Sequence, residues 1–190
     1  MGISLPYRIF QRTHANIKLT PILKTGAIEK AVRVLDLGCG PGTNFSYFQG
    51  KTYLGLDLNK HYIEYAQSCY DGSFKVEDIT LHPSLNEAPF DFILINSVLH
   101  HLTDDEVNKT ITFAKDNLSL DGRIHILEPL TPESGFVARM LAKLDRGSYF
   151  RTELEWSSLI CPLLTDISTD RVTVPFFGFR GWHMAYWSGR

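Results

Sequence analysis

The sequence predicts an α/β fold: a doubly wound, mostly parallel seven-stranded sheet with helices on both faces and an antiparallel C-terminal hairpin. Three observations carry this expectation. Short runs rich in leucine and β-branched residues alternate with segments of helical spacing, the pattern of buried parallel strands joined by helices. The first such run ends on the glycine-rich turn Gly38-Cys39-Gly40-Pro41-Gly42. After Leu127 the alternation stops, and the chain closes with two further short strands.

The elements follow in order. Residues 13–30 read as helical or irregular and lead into the strand Val32–Leu37. A helix from Thr43 to Phe48 is stopped by Gly50. Thr52–Leu56 is the second strand, and Asn59 caps a helix running to about Tyr70, with Ile63, Ala66 and Tyr70 on one face. Phe74–Val76 and Phe90–Ile95 are the third and fourth strands. Thr103 with Glu106 forms a capping box, behind which Val107, Ile111, Ala114 and Leu118 fall at helical spacing. Asp121-Gly122 turns the chain into the fifth strand, Arg123–Leu127. A long connection to Arg151 contains a helix from Phe136 to Leu144, and a second capping box at Thr152 and Glu155 opens another helix. Val172–Val174 and Trp182–Trp187 form the hairpin, with Phe176, Phe177, Phe179, Trp182, Tyr186 and Trp187 as its aromatic core.

The chain is read as one domain of 190 residues. Residues 1–31 form an N-terminal helical cap, 32–128 the ligand-binding core, 129–151 an insertion beside the second ligand, and 152–190 the closing helix and hairpin. A hydrophobic fraction of 44% and a charged fraction of 21% are ordinary for a globular protein. No apolar run has the length of a membrane span, and residues 1–12 lack a signal-peptide core. Cys39, Cys69 and Cys161 are odd in number and widely spaced, which excludes a disulfide framework or zinc ribbon and fits a reduced, cytoplasmic protein. A net charge of −2 argues against a nucleic-acid partner. Monomer and homodimer both remain open.

Sheets of this type bind ligands at the carboxyl ends of their strands, where strand order reverses. The glycine turn lies at such an end, where absent side chains let backbone approach a ligand. The dinucleotide fingerprint requires glycine at its first, third and sixth positions. Thr43 and Phe45 occupy the sixth position in the two registers, so it fails. The phosphate loop fails too, because no Gly-Lys-Ser/Thr follows. Asp36, Asp57 and Asp78 instead stand at three successive strand ends. Asp57 suits a ribose diol, Asp78 an exocyclic adenine amine, and Asp36 an ammonium group or its water. Three acids around one ligand favour a positively charged nucleoside.

Val34–Gly42 resembles the first motif of class I (Rossmann-like) S-adenosylmethionine-dependent methyltransferases. Leu54–Asp57 resembles their ribose-binding acidic motif, Val76–Ile79 their adenine-side motif, and Gly122–Ile126 their fifth-strand motif. Phe90–Leu102 resembles the fourth strand of the small-molecule branch, of methyltransferase type 11/12, and Leu144–Thr152 a segment of small bacterial members. The resemblance implies S-adenosyl-L-methionine as cofactor, with S-adenosyl-L-homocysteine as product. It implies cofactor contacts from Asp36, Gly38, Cys39, Gly40, Asn44, Asp57, Leu58, Asp78, Ile79 and Asn96, with Tyr7 and Arg12 closing the pocket.

The fourth strand delivers Asn96 to His101 beside the reacting sulfur. The run Leu99–Glu106 distantly resembles a segment of plant small-molecule O-methyltransferases in which a histidine deprotonates the acceptor. His100 is the first candidate for that base and His101 the second, although a histidine at a helix start is also an ordinary structural group. Arg146 and Arg151 are candidates for a phosphate or carboxylate on the acceptor, with Tyr149 lining the same pocket. No metal is expected, since the acids near His100 suit a helix N-terminus without one. Asn96 is not followed by the Pro-Pro-aromatic pattern of amide and nucleobase N-methyltransferases, which leaves transfer to a hydroxyl or carboxyl oxygen of a small molecule ahead. The alternatives are N-methylation of a small amine, methylation of RNA or protein, and a non-catalytic cofactor-binding protein.

Overall fold

The computed structural model describes residues 17–131, 149–176 and 179–190. The expected helix at 136–144, the side chains of Tyr7, Arg12 and Arg146, and those of Phe176, Phe177, Phe179 and Trp182 lie outside the described residues. Two four-residue helices, α1 (Thr20–Leu23) and α2 (Ala27–Lys30), precede the sheet. The strands are β1 (Arg33–Leu37), β2 (Thr52–Asp57), β3 (Ser73–Val76), β4 (Phe90–Asn96), β5 (Leu118–Pro129), β6 (Ser168–Phe176) and β7 (Phe179–Gly189). Helices α3 (Lys60–Cys69), α4 (Asp104–Asp116) and α5 (Glu153–Ile160) complete the described elements.

The seven strands lie in the order β3-β2-β1-β4-β5-β7-β6. The first five are mutually parallel, β7 adds antiparallel to β5, and β6 pairs antiparallel with β7 at the edge. Strand order reverses between β1 and β4, so the loops leaving these two strands open on one crevice. Alternation along the strands divides the core into two layers. Leu35, Leu37, Ile93 and Ile95 face Val107 and Ile111 of α4 and Trp156 of α5. Val34, Phe92 and Leu94 face Leu19, Ile22, Phe45, Phe48 and Ile63 on the other side.

Local chemistry explains the helix starts. Asn59 accepts from the amides of His61 and Tyr62, and both threonine–glutamate capping boxes are formed. Three local expectations shift. The segment after the glycine turn is a 3₁₀ helix, Thr43–Tyr47. Leu118 belongs to β5 and not to the preceding helix, because it pairs with Phe90 across the sheet. The register then slips before Arg123 pairs with Phe92, so Asp121-Gly122 is absorbed into an irregular strand. The hairpin strands are longer than the apolar runs that signalled them, since their outer ends pair through polar residues such as Ser168 with Ser188.

Candidate active site

The crevice between β1 and β4 is built from the backbone upward. The glycine loop is tied to β2: the amides of Gly38 and Cys39 both donate to Leu56 O, at 2.8 and 2.9 Å. Gly38 has φ +72°, and a Cβ there would lie 2.5 Å from Val98 Cγ2. Its lack of a side chain therefore brings the loops after β1 and β4 into contact. Gly40, at φ +55°, has nothing within 4 Å of an added Cβ and opens onto free space. Cys39 turns into the core, where burial pushes its thiol well above the usual range.

Substitutions at the two glycines should separate these roles. Gly38→Ala is expected to destabilise the fold by about 2 kcal/mol or more, combining left-handed strain with overpacking. Gly40→Ala should cost only about 1 kcal/mol yet obstruct ligand binding. Thermal melts with and without S-adenosylhomocysteine check this, and equal effects of the two variants would refute the distinction.

The strand-end acids differ in their surroundings. Asp57, half-buried, accepts from Gly40 N at 2.8 Å through Oδ2 and from Asn59 N at 2.8 Å through Oδ1. Burial raises its carboxyl above the usual range. Leu58 beside it is 69% exposed, an apolar surface next to the expected ribose carboxylate. Asp78 caps the 3₁₀ turn Ile79–Leu81, its Oδ1 accepting from the amide and hydroxyl of Thr80 at 2.9 and 2.7 Å; Ile79 is buried. Asp36 is fully buried in mid-sheet. Its Oδ2 accepts from the Tyr53 hydroxyl at 2.8 Å and from Asn44 Nδ2 at 3.4 Å. Asn44 Oδ1 in turn accepts from Asn96 Nδ2 at 3.4 Å. Asp36 Oδ1 has no hydrogen-bond partner among the described residues.

Past β4, Ser97 adopts φ +58° and the chain turns through the 3₁₀ helix Leu99–His101. Glu128, buried near the end of β5, organises this turn. Its Oε1 accepts from Val98 N (2.9 Å) and Leu99 N (2.7 Å), and its Oε2 lies 2.7 Å from His100 Nδ1. His100 is fully buried and stacks near Phe150, with ring centroids 5.1 Å apart. His101 is exposed, its ring centroid 4.1 Å from that of His100, and its charge acts on Asp57.

Sequence reasoning missed Glu128 and Tyr53. The available signal was an acid inside an otherwise apolar strand end, Ile126-Leu127-Glu128-Pro129, and a phenol within a buried strand. Arg151 is 7% exposed, and its guanidinium donates to Asp104 Oδ1, Leu102 O and Tyr149 O. These bonds tie the 149–151 segment to the start of α4. Tyr149 is 41% exposed and its amide donates to His100 O at 3.0 Å, so it does stand beside the crevice. Among the described residues no group of three or more histidine, cysteine or acidic side chains could hold a metal, and no helix is long and apolar enough to cross a membrane.

Open space at Gly40, an orphaned buried carboxylate oxygen on Asp36 and an acid at the end of β2 fit a cationic adenosyl amino acid. Residues 35–126 match the family model described as a methyltransferase domain. Residues 35–126 thus carry a methyltransferase domain, and the fold is the Rossmann-like one of class I S-adenosylmethionine-dependent methyltransferases. No curated protein matches the sequence. Among solved structures it resembles a SAM-dependent methyltransferase from Archaeoglobus fulgidus, with 14% identity, TM-score 0.73, and coverage of 96% of this chain and 98% of that one. It also resembles magnesium protoporphyrin IX methyltransferase from Synechocystis PCC 6803 with bound SAM, at 15% identity, TM-score 0.66, and 96% and 81% coverage. A third is the plantazolicin methyltransferase BpumL in complex with a triazolic desmethylPZN analogue and SAH, at 17% identity, TM-score 0.69, and 95% and 85% coverage.

Proposed function

We propose that the chain transfers the methyl group of S-adenosylmethionine to a hydroxyl or carboxyl oxygen of a small molecule, with His100 as the base. The observation that carries this reading is the buried contact of His100 Nδ1 with Glu128 Oε2, on the turn that packs against the glycine loop. When bound, the cofactor supplies an electrophilic methyl group on a sulfonium sulfur. Glu128 holds Nδ1–H and so leaves Nε2 as the basic nitrogen. For a hydroxyl acceptor, Nε2 of His100 would take the proton released from the acceptor oxygen. The two turns align the reactants in line, which supplies much of the rate. Gly40, Asp57, Leu58, Asp78 and Ile79 hold the adenosyl part, and Asp36 with Asn44 and Asn96 receives the amino-acid part.

Two structural relatives are a magnesium protoporphyrin IX methyltransferase and a plantazolicin methyltransferase, so this fold serves unlike acceptors and does not select one. The exposure of His101 supports a second reading, in which it is the base and His100 orients it. Incubation with methyl-labelled cofactor and a panel of phenols, carboxylic acids and amines tests the acceptor class. Labelled ethers or esters are expected, and label found in amines alone would overturn transfer to oxygen.

A further inference from the structure

We propose that Tyr53 is a positioning residue for methyl-donor binding: its buried hydroxyl orients the Asp36 carboxylate and keeps it ionised for the donor's ammonium group. This rests on the assignment of Asp36 to that ammonium. Tyr53 sits in mid-β2 on the same sheet face as Asp36, since its register partner is Val34, two residues before Asp36. Phe45, Phe48 and Phe74 surround its ring with centroids at 5.1, 6.0 and 5.4 Å, which fixes where the hydroxyl lies. That hydroxyl donates to Asp36 Oδ2 at 2.8 Å, a far shorter contact than the 3.4 Å from Asn44. The other oxygen, Oδ1, is buried and lacks a partner among the described residues. One oxygen is thus clamped by the protein while the other is left for a cation.

The arrangement matters because an isolated buried carboxyl tends to be neutral. Burial pushes Asp36 up to about 6, the hydrogen bonds of Tyr53 and Asn44 oppose that rise, and the charge of Asp57 adds to it. The other titratable groups in range are Cys39 beside Asp36, Tyr70 beside Tyr53, and His101 beside Asp57. Both thiol and phenols are neutral near pH 6, so Asp57 and His101 are the ionisable neighbours to control for.

The sign follows directly. The ligand's ammonium group favours ionised Asp36, so affinity falls as pH drops through the Asp36 midpoint. Removing the Tyr53 donor raises that midpoint, and the weakening then begins at higher pH.

The test is the dissociation constant of S-adenosylhomocysteine, measured calorimetrically from pH 5 to 8. In Tyr53→Phe, affinity at pH 7 is expected to fall about tenfold and the midpoint to move up. Site-specific 3,5-difluorotyrosine at position 53, a stronger donor of similar size, should move the midpoint down, and it keeps the proposal testable if the phenylalanine variant unfolds. Asp36→Asn should abolish the midpoint, and His101→Gln should preserve it. If Asp36→Asn retains both affinity and pH dependence, the assignment of Asp36 to the ammonium fails. If Asp36→Asn flattens the profile but neither change at Tyr53 moves the midpoint, the role of Tyr53 alone is overturned.

Discussion

The His100→Ala variant is expected to transfer methyl groups about 10²- to 10⁴-fold more slowly than the wild type, the usual span for loss of a general base. Affinity for S-adenosylhomocysteine should stay close to normal, because the proposed site assigns the cofactor to the loop after β1 and to Asp57 on β2. The loss should therefore fall on kcat. Glu128→Gln gives a second arm. Glutamine keeps one oxygen to accept from Val98 N and Leu99 N but places an amide where His100 now meets a carboxylate. Turnover is expected to fall by about 10- to 100-fold, as for loss of other groups that orient a functional histidine. His101→Ala completes the comparison. Unchanged turnover in His100→Ala with a collapse in His101→Ala would transfer the role of base to His101.

The second large effect is expected at Asp57. In the proposed site its carboxylate accepts from a ribose diol, and each charge-assisted hydrogen bond contributes about 1.5–3 kcal/mol. Loss of two should weaken cofactor binding by about 10²- to 10³-fold in Asp57→Ala. Part of that effect has a different origin, because Asp57 also fixes Gly40 N and Asn59 N in the free protein. Asp57→Asn separates the two contributions: it retains a carbonyl acceptor for the loop but loses the charge. Titration calorimetry with S-adenosylhomocysteine and with adenosine measures both. Wild-type affinity for both ligands in Asp57→Ala would show that the ribose lies elsewhere.

Much of the fold was legible because its signals are local. Asn59, Thr103 and Thr152 announce their helices within one turn of chain, since a cap satisfies amides two or three residues away. The apolar runs at Val34–Leu37 and Phe90–Ile95 announce central strands, because both of their faces are buried. The glycine turn and the acid after each early strand announce the cofactor for the same reason. Gly40 and Asp57 act where the chain itself puts them, at the carboxyl ends of β1 and β2. Leu118 was less legible. Its helical spacing from Ala114 is genuine, and only pairing with Phe90 draws it into β5.

What the sequence alone determined is the doubly wound sheet, its order of strands and helices, and the methyl donor. The elements rest on residues close together in the chain, and the donor on the glycine turn and on acids spaced one strand–helix unit apart. The partners of the chemical groups were decided by tertiary structure, because they join residues far apart in sequence. Glu128 reaches His100 from 28 residues away, Tyr53 reaches Asp36 from 17, and Asp104 engages Arg151 from 47. A histidine is a surface group or an oriented base according to whether a buried carboxylate meets it. The Arg151 guanidinium likewise finds four of its bonds with Asp104, Leu102 and Tyr149 only once the fold brings them together. Periodicity and motif do not reveal those pairings; β5 lying beside β4 makes that of Glu128 with His100, and β2 lying beside β1 that of Tyr53 with Asp36.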